Sequence, residues 1–145
     1  MDEKFFRKWF KGFESALMEM DAESRVGFFR HCAKQCADTG VLQSYLRLHR
    51  AVGGERDAFY RRLHEVESVR GEIAVPGREY YICFPECSCD LHTACGVDTP
   101  HLCECSRQSI LYVARTVWPG CEIRVEAEGT ILSGAPECRF RVIFQ

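Results

Sequence analysis

Apolar residues recur at spacings of three and four through the first half of the chain, which is the pattern of amphipathic helices. An aromatic stripe runs from Phe5 to Phe13 and continues at Leu17. Asp21 is a good N-cap for a second helix, and Gly40 is suited to end it. The pattern therefore predicts four helices, over about residues 5–17, 21–40, 42–52 and 56–66.

In the second half of the chain the pattern changes to alternating apolar and polar residues, which favours strands. Residues 72–75 and 78–84 predict a hairpin, because Pro76 and Gly77 between them suit a type II turn. Three further elements are predicted, namely a helix capped by Ser106 and strands over residues 121–128 and 138–144. We expect one α+β domain over residues 1–145, with N-terminal helices packed on an antiparallel sheet that has one inserted helix.

Composition and charge exclude several classes of protein. Hydrophobic residues make up 46% of the chain and charged residues 28%, which is ordinary for a globular protein. The formal net charge of -2 provides no basic field for nucleic acid or an anionic membrane. No stretch approaches the roughly 20 apolar residues that span a bilayer, and the N-terminal residues lack the apolar core of a signal peptide. We expect a cytoplasmic protein with no nucleic-acid or membrane partner.

The chain contains ten cysteines. In a reducing compartment, clustered cysteines bind metal or perform redox or nucleophilic chemistry more often than they form disulfides. A chain of this length also does not need disulfides to stabilise its core. The ten are Cys32, Cys36, Cys83, Cys87, Cys89, Cys95, Cys103, Cys105, Cys121 and Cys138.

Two Cys-x-Cys pairs flank an irregular loop over residues 85–104. Four thiolates at about 2.3 Å satisfy tetrahedral zinc. The sequence therefore predicts a zinc site with the ligands Cys87, Cys89, Cys103 and Cys105. Cys-x-Cys is a less comfortable chelate for one ion than Cys-x-x-Cys, and Cys32 and Cys36 on one side of the second helix could complete the site. The alternatives are buried reduced thiols and redox or nucleophilic chemistry.

These cysteines are compatible with two different functions. In the first, the zinc loop is structural, and the helices and sheet enclose an apolar pocket for a small ligand, as in a sensor or carrier. In the second, Cys105 or Cys103 is a nucleophile that attacks a small heterocycle or thioester, with His92 or His101 as general base. The start of a helix near Ser106 is expected to lower the pKa of the adjacent thiol.

Five residues of the C-terminal part carry a resemblance: Cys105, Glu126, Gly134, Cys138 and Phe140. Their arrangement is similar to that of vinyl reductase-type ligand-binding domains, which are related to TRAPP vesicle-tethering subunits and to some bacterial phenol sensors. The resemblance implies an α+β fold, a homodimer, a small hydrophobic ligand and a structural zinc. Cys138 is a further candidate ligand of the predicted zinc site, beside Cys32 and Cys36. Zinc-binding members carry a cysteine eight residues before the last one, where this chain has Thr130.

Short motifs along nearly the whole chain carry a second resemblance: Cys32-x-x-x-Cys36, Cys87-x-Cys89-Asp90-Leu91-His92, Cys103-Glu104-Cys105-Ser106, Thr130-Ile131-Leu132, Gly134 and Cys138. They resemble a family of cysteine-rich bacterial proteins that is distantly similar to the 2-aminothiazoline-4-carboxylate hydrolases. This resemblance implies the fold and the cysteine cluster more than any reaction.

Overall fold

A computed structural model describes residues 2–66 and 68–145 of the chain. The described residues form six α-helices and one four-stranded antiparallel sheet. In chain order the elements are α1 (Glu3–Glu19), α2 (Ala22–Thr39), α3 (Leu42–Ala51), α4 (Arg56–Arg61), β1 (Arg70–Val75), β2 (Glu79–Phe84), α5 (Asp90–Thr93), α6 (Glu104–Val117), β3 (Ile123–Gly129) and β4 (Cys138–Phe144). Among these residues, none of the helices has both the length and the apolar character needed to cross a membrane.

The sheet has the strand order β1-β2-β4-β3, and all of its pairings are antiparallel. The predicted hairpin is confirmed as β1 and β2, and Gly77 in its turn has a φ of 75°, as the second central position of a type II turn requires. The α+β class and the helix inserted before the closing strands are also confirmed. The closer likeness to vinyl reductase and TRAPP domains stays a prediction.

The main core lies between one face of the sheet and helices α3, α4 and α6. Tyr60 of α4 stacks on Tyr80 of β2 with ring centroids 4.1 Å apart, and Trp118 after α6 also stacks with Tyr60, at 6.0 Å. Phe140 and Val142 of β4 face the same helices and are fully buried. Each buried large side chain contributes about 1.5–3 kcal/mol, so this layer accounts for most of the attraction between helices and sheet.

Strand β1 passes so close to α4 that one position allows only glycine. A Cβ atom on Gly71 would lie 2.1 Å from the carbonyl oxygen of Tyr60, far inside van der Waals contact. The absence of a side chain therefore lets the edge strand sit directly on the helix.

A second, smaller apolar cluster supports the cysteine-rich segment. Its buried members are Leu17, Phe29, Val97 and Leu102, which come from α1, α2 and the segment before α6. Helix α1 reaches this cluster mainly through Leu17, and the predicted stripe is only partly covered, since Phe5 is 60% exposed and Trp9 59%. Residues 85–104 are therefore held against the helices although few of their own side chains are apolar.

The cysteine-rich segment is more regular than the sequence suggests. It contains the short helix α5 and a 3-10 turn over Pro100–Cys103. The sequence predicted that Ser106 caps this helix. Helix α6 instead begins at Glu104, so Ser106 lies inside it and the prediction is wrong. Cys103 occupies the N-cap position and Cys105 lies in the first turn.

Candidate metal centre

The four predicted zinc ligands lie at the ends of short elements. Cys89 is the N-cap of α5, and Cys87 lies two residues earlier in the irregular stretch after β2. Cys103 and Cys105 lie on either side of the first residue of α6. All four are half-buried free thiols. These positions put each pair at the entry to a helix, where backbone N–H groups point outward and favour thiolates.

Cys105 lies among thiols from α2 and from the start of α5. Burial raises the pKa of Cys105 to about 12, and the charges of neighbouring thiols add to the effect. In order of decreasing strength these neighbours are Cys89, Cys36, Cys32 and Cys103. The face of α2 that carries Cys32 and Cys36 therefore meets the first turn of α6, although both of these thiols are themselves exposed.

Cys103 lies near thiols from the start of β4 and from the residues after β2. Burial raises its pKa to about 11, and the thiols of Cys138, Cys87 and Cys89 contribute in that order. The sheet explains this meeting, because the register pairs Phe84 at the end of β2 with Cys138 at the start of β4. The chain leaves β2 beside Cys138 and reaches Cys87 three residues later.

These electrostatic interactions between neighbouring thiols join seven of the ten cysteines into one network: Cys32, Cys36, Cys87, Cys89, Cys103, Cys105 and Cys138. They come from α2, the segment after β2, the start of α6 and the start of β4. The candidate ligands Cys87, Cys89, Cys103 and Cys105 and the additional candidates Cys32, Cys36 and Cys138 are all in this set. Whether they bind metal stays a prediction. We call the seven the thiol cluster.

Two sulfur atoms of the thiol cluster accept hydrogen bonds from the surrounding protein. The amide of Ile131 donates to Cys138 at 3.3 Å, and the hydroxyl of Thr130 donates to Cys103. Donors of this kind favour the thiolate over the thiol and commonly surround metal-binding cysteines.

The sulfurs are more widely spaced than in a closed coordination sphere. Around tetrahedral zinc, thiolate sulfurs lie about 3.8 Å apart. Within the described residues, one group of three or more potential ligands has all its ligand atoms within 4.8 Å of one another, and it does not belong to the thiol cluster. Metal binding would draw the sulfurs together. Cys32 and Cys36 on α2 are exposed, and residues 85–89 lie outside the helices and strands.

The compact group consists of Glu72, Cys83 and Glu137 on the outer face of the sheet, and its geometry could hold a metal ion. Two guanidinium groups already occupy it. Arg139 binds Glu72 at 2.9 Å, and Arg70 bridges Glu72 and Glu137 at 2.9 and 2.8 Å. Hydrogen bonds from Arg139 and Arg70 lower the pKa of Glu72 to about 2. A cation would have to displace two arginines, so this group is better explained as an ionic network.

Sequence reasoning missed this network. Arg139 precedes the buried Phe140 on β4 and so lies on the outer face, but its pairing with Cys83 depends on the register of β2 with β4. Burial, followed by the hydrogen bond to Glu72, raises the pKa of Cys83 to about 11. Cys83 is therefore a protonated thiol within an ionic cluster. No sequence motif marks such a cross-strand group.

The two candidate general bases make no direct contact of the catalytic kind with the thiols they were paired with, although His101 lines the same pocket as Cys103. His92 points Nδ1 at the carbonyl oxygen of Val97, 2.9 Å away, and at Asp98, 3.1 Å away. His101 is exposed on the 3-10 turn. In the described part of the chain, neither imidazole forms a hydrogen bond with a cysteine.

The expected lowering of a thiol pKa at the start of α6 is wrong. The pKa values of Cys103 and Cys105 are raised, because burial and neighbouring thiols outweigh the partial positive charge of the helix N-terminus. Without a cation nearby, both candidate nucleophiles stay protonated near neutral pH.

A pocket of about 490 Å³ opens beside Cys103 and Thr130. Its walls include Arg25 of α2, Arg107 of α6 and Glu128 of β3. Arg107 binds Glu104 at 2.6 Å and the carbonyl oxygen of Val125 at 3.0 Å, so its guanidinium is fixed in the wall. The lining is mixed, because apolar side chains such as Val26 and Pro100 stand beside these charged groups.

Comparison with known proteins adds no assignment. No protein-family model matches the chain, and a search of curated proteins finds no match.

Proposed function

We propose that this protein is a zinc-binding module of the sensor or carrier type, in which the thiol cluster holds the metal and the adjacent pocket takes a small ligand. One observation carries the proposal, namely the convergence of seven thiols from separate segments of the chain. Buried thiolates repel one another, and a soft divalent cation supplies the charge that lets several coexist. Ten free cysteines fit the reducing, cytoplasmic setting that the proposal assumes.

The competing hydrolase hypothesis has less support. A cysteine nucleophile needs a base within hydrogen-bonding reach or a lowered pKa. Within the described residues Cys103 and Cys105 have no imidazole partner, and both have raised pKa values. The same features suit thiols that lose their protons to a metal ion.

Metal analysis combined with thiol counting tests the proposal. We expect purified full-length protein to contain zinc, and at least four thiols to become reactive only after a chelator is added. Cys103→Ser should lower the zinc content, whereas Cys95→Ser, outside the thiol cluster, should not. Protein that contains no zinc after reconstitution, with one thiol far more reactive than the rest, would contradict the proposal and favour the hydrolase.

A further inference from the structure

Helix α1 exposes aromatic side chains to solvent. Five large apolar side chains of the described residues are exposed, and four of them lie on α1 or α2: Phe5, Trp9, Met18 and Phe28. Phe5 and Trp9 are 60% and 59% exposed and lie four positions apart, on one side of the helix. The same stripe continues at the exposed Gly12 and Ala16, so it carries no charge.

The polar side of α1 contacts the rest of the molecule. The carboxylate of Glu14 accepts hydrogen bonds from the amides of Asp98 and Thr99 at 3.1 and 2.9 Å. The ammonium group of Lys11 donates to the carbonyl oxygen of Gly96 at 3.4 Å. An amphipathic helix on a globular protein normally buries its apolar stripe and exposes its polar one. Here the contacts of Glu14 and Lys11 turn part of the apolar stripe towards solvent.

The exposed rings are supported by half-buried rings of the same helix. Phe5 meets Phe6 edge to face with ring centroids 5.8 Å apart, and Trp9 meets Phe10 in the same way at 5.2 Å. Phe10 in turn contacts Phe13 at 5.4 Å. These contacts restrict the exposed rings before any binding event, so binding through them costs little conformational entropy.

Two lysines border the exposed stripe. Lys8 lies three positions after Phe5, and Lys4 lies one turn before Lys8 on the same side of the helix. Within the described residues neither ammonium group has a carboxylate partner. Phe and Trp beside Lys are typical of helices that lie in the interface of a bilayer, where the rings enter the headgroup region and the ammonium groups contact lipid phosphates.

The carboxylates of α1 do not oppose these cations on the exposed side. Glu3 binds Arg7 at 3.3 Å, and the carboxylate of Glu14 is engaged by the two backbone amides. Asp2 accepts from a backbone amide at the N-cap, and Glu19 lies at the last position of the helix. The exposed side is therefore cationic where it is aromatic, although the whole chain has a net charge of -2.

We propose that α1 docks on the surface of an anionic lipid bilayer, with Phe5 and Trp9 in the headgroup region and Lys4 and Lys8 against lipid phosphates. The helix lies on the bilayer and does not span it. The expectation of no membrane partner was drawn from the charge of the whole chain, which does not describe this face. The inference goes beyond the zinc function and does not depend on it.

A second copy of the chain fits this face less well. Two copies that pair through Phe5 and Trp9 about a two-fold axis present the same surface to each other. The lysines of each copy would then meet no carboxylate on the exposed stripe between Phe5 and Ala16 of the other. A bilayer that contains acidic lipid supplies the negative charge that the face itself lacks.

Sedimentation of the full-length protein with vesicles tests the proposal. We expect binding to vesicles of phosphatidylcholine with phosphatidylserine, weaker binding to phosphatidylcholine alone, and loss of the difference as salt is added. The double variant Phe5→Ser with Trp9→Ser should bind the acidic vesicles about 10-fold more weakly. Lys4→Gln with Lys8→Gln should also lose about 10-fold, on the acidic vesicles only. Val75→Ser is the matched control, because Val75 is 41% exposed on the hairpin of β1 and β2, and it should bind as the unmodified protein does.

Tryptophan emission identifies the residue that enters the bilayer. Trp9 is 59% exposed and Trp118 is 8% exposed, so a blue shift on addition of acidic vesicles arises from Trp9. Trp9→Phe should keep the binding and lose the shift. Should the double serine variant fail to fold, the lysine variant and the emission of Trp9 still decide the outcome.

Unmodified protein that does not sediment with the acidic vesicles overturns the proposal, and so does binding that Phe5→Ser with Trp9→Ser leaves unchanged. Light scattering without vesicles distinguishes the other occupant of this face. An unmodified protein that binds no vesicles but forms a dimer, which the double serine variant dissociates, would show that the face is an interface between copies and would overturn the membrane proposal. The zinc content is measured separately and stays informative in each case.

Discussion

At the residue scale, the hydroxyl group of Thr130 has two hydrogen-bonding partners. It accepts from the amide of Ser133 at 3.2 Å, which closes the turn between β3 and β4, and it donates to Cys103. Thr130 therefore connects the turn between β3 and β4 to a sulfur of the thiol cluster.

Thr130→Val should weaken zinc binding by about 10-fold, because removal of a hydrogen-bond donor to a metal-bound sulfur typically costs this much affinity. Thr130→Ser keeps the hydroxyl group and should bind zinc as the unmodified protein does. Competition with a chromophoric chelator measures both affinities, and urea unfolding of the metal-free proteins separates a loss of turn stability from a loss of affinity. Equal affinities for the two variants would show that the hydroxyl does not support the metal.

The ionic network around Glu72 predicts how stability depends on acidity. Arg139 and Arg70 lower the pKa of Glu72 from 4.5 to about 2 in the folded protein. A carboxylate with a lowered folded-state pKa stabilises the fold above its unfolded pKa, and this stabilisation is lost as the pH falls from about 4.5 towards 2. The Glu72 side chain is 38% exposed, so screening limits the contribution to about 0.5–1 kcal/mol.

Glu72→Gln should therefore reduce the free energy of unfolding at pH 7 and make its decline between pH 4.5 and 2 shallower. Urea unfolding of the metal-free protein across this range measures both effects, so that zinc release in acid does not contribute. Glu122→Gln, at an exposed position directly before β3, is the matched control and should follow the unmodified protein. If the free energy of unfolding of Glu72→Gln fell with pH in parallel with that of the unmodified protein, the network would not be the cause of the acid-dependent loss of stability.

At the element scale, the approach of β1 to α4 depends on Gly71. In Gly71→Ala the new Cβ would meet a backbone carbonyl oxygen, which cannot rotate away, so the strand must move off the helix. We expect a loss of about 3 kcal/mol in the free energy of unfolding. Gly12→Ala is the matched control, because no heavy atom lies within 4 Å of its Cβ position on α1. This control should gain about 0.8 kcal/mol through helix propensity.

The elements that the sequence predicts best are those with local signals. Asp21 caps α2 by accepting from the amide of Ser24 at 2.7 Å, and Gly40 ends it. Such signals depend on residues within one turn of each other, so they can be identified without knowledge of the fold. The start of α6 was mistaken for a different reason, since Cys103 at its N-cap makes no side-chain capping bond and carries no capping preference.

Local signals do not predict how the cysteines are grouped in space. The sequence identified the seven thiols of the cluster as candidates, but it grouped them by proximity along the chain. Their spatial grouping depends on the packing of α2 against α6 and on the register that pairs Phe84 with Cys138. These are long-range contacts, which periodicity and spacing do not encode.

At the scale of the whole molecule, the thiol cluster connects α2 and α6 to the segment after β2 and to the start of β4. The residues after β2 are held by the small cluster around Phe29 and Val97, and metal binding would tie them to α2, α6 and β4. A ligand that binds only the folded state stabilises it by about 2.7 kcal/mol at 100 times its dissociation constant. Chelation should therefore loosen residues 85–104 before the main core unfolds.

Limited proteolysis with a glutamate-specific enzyme, with and without a chelator, tests this consequence. Glu86 is exposed in the stretch next to Cys87, and we expect cleavage there to become at least several-fold faster when zinc is removed. Glu55, exposed between α3 and α4, provides an internal control whose rate should not change. The same comparison on Cys95→Ser should reproduce the unmodified result, whereas Cys103→Ser should be cleaved quickly even without chelator. Equal acceleration at Glu55 and Glu86 would mean that metal stabilises the whole fold uniformly and does not act through this segment.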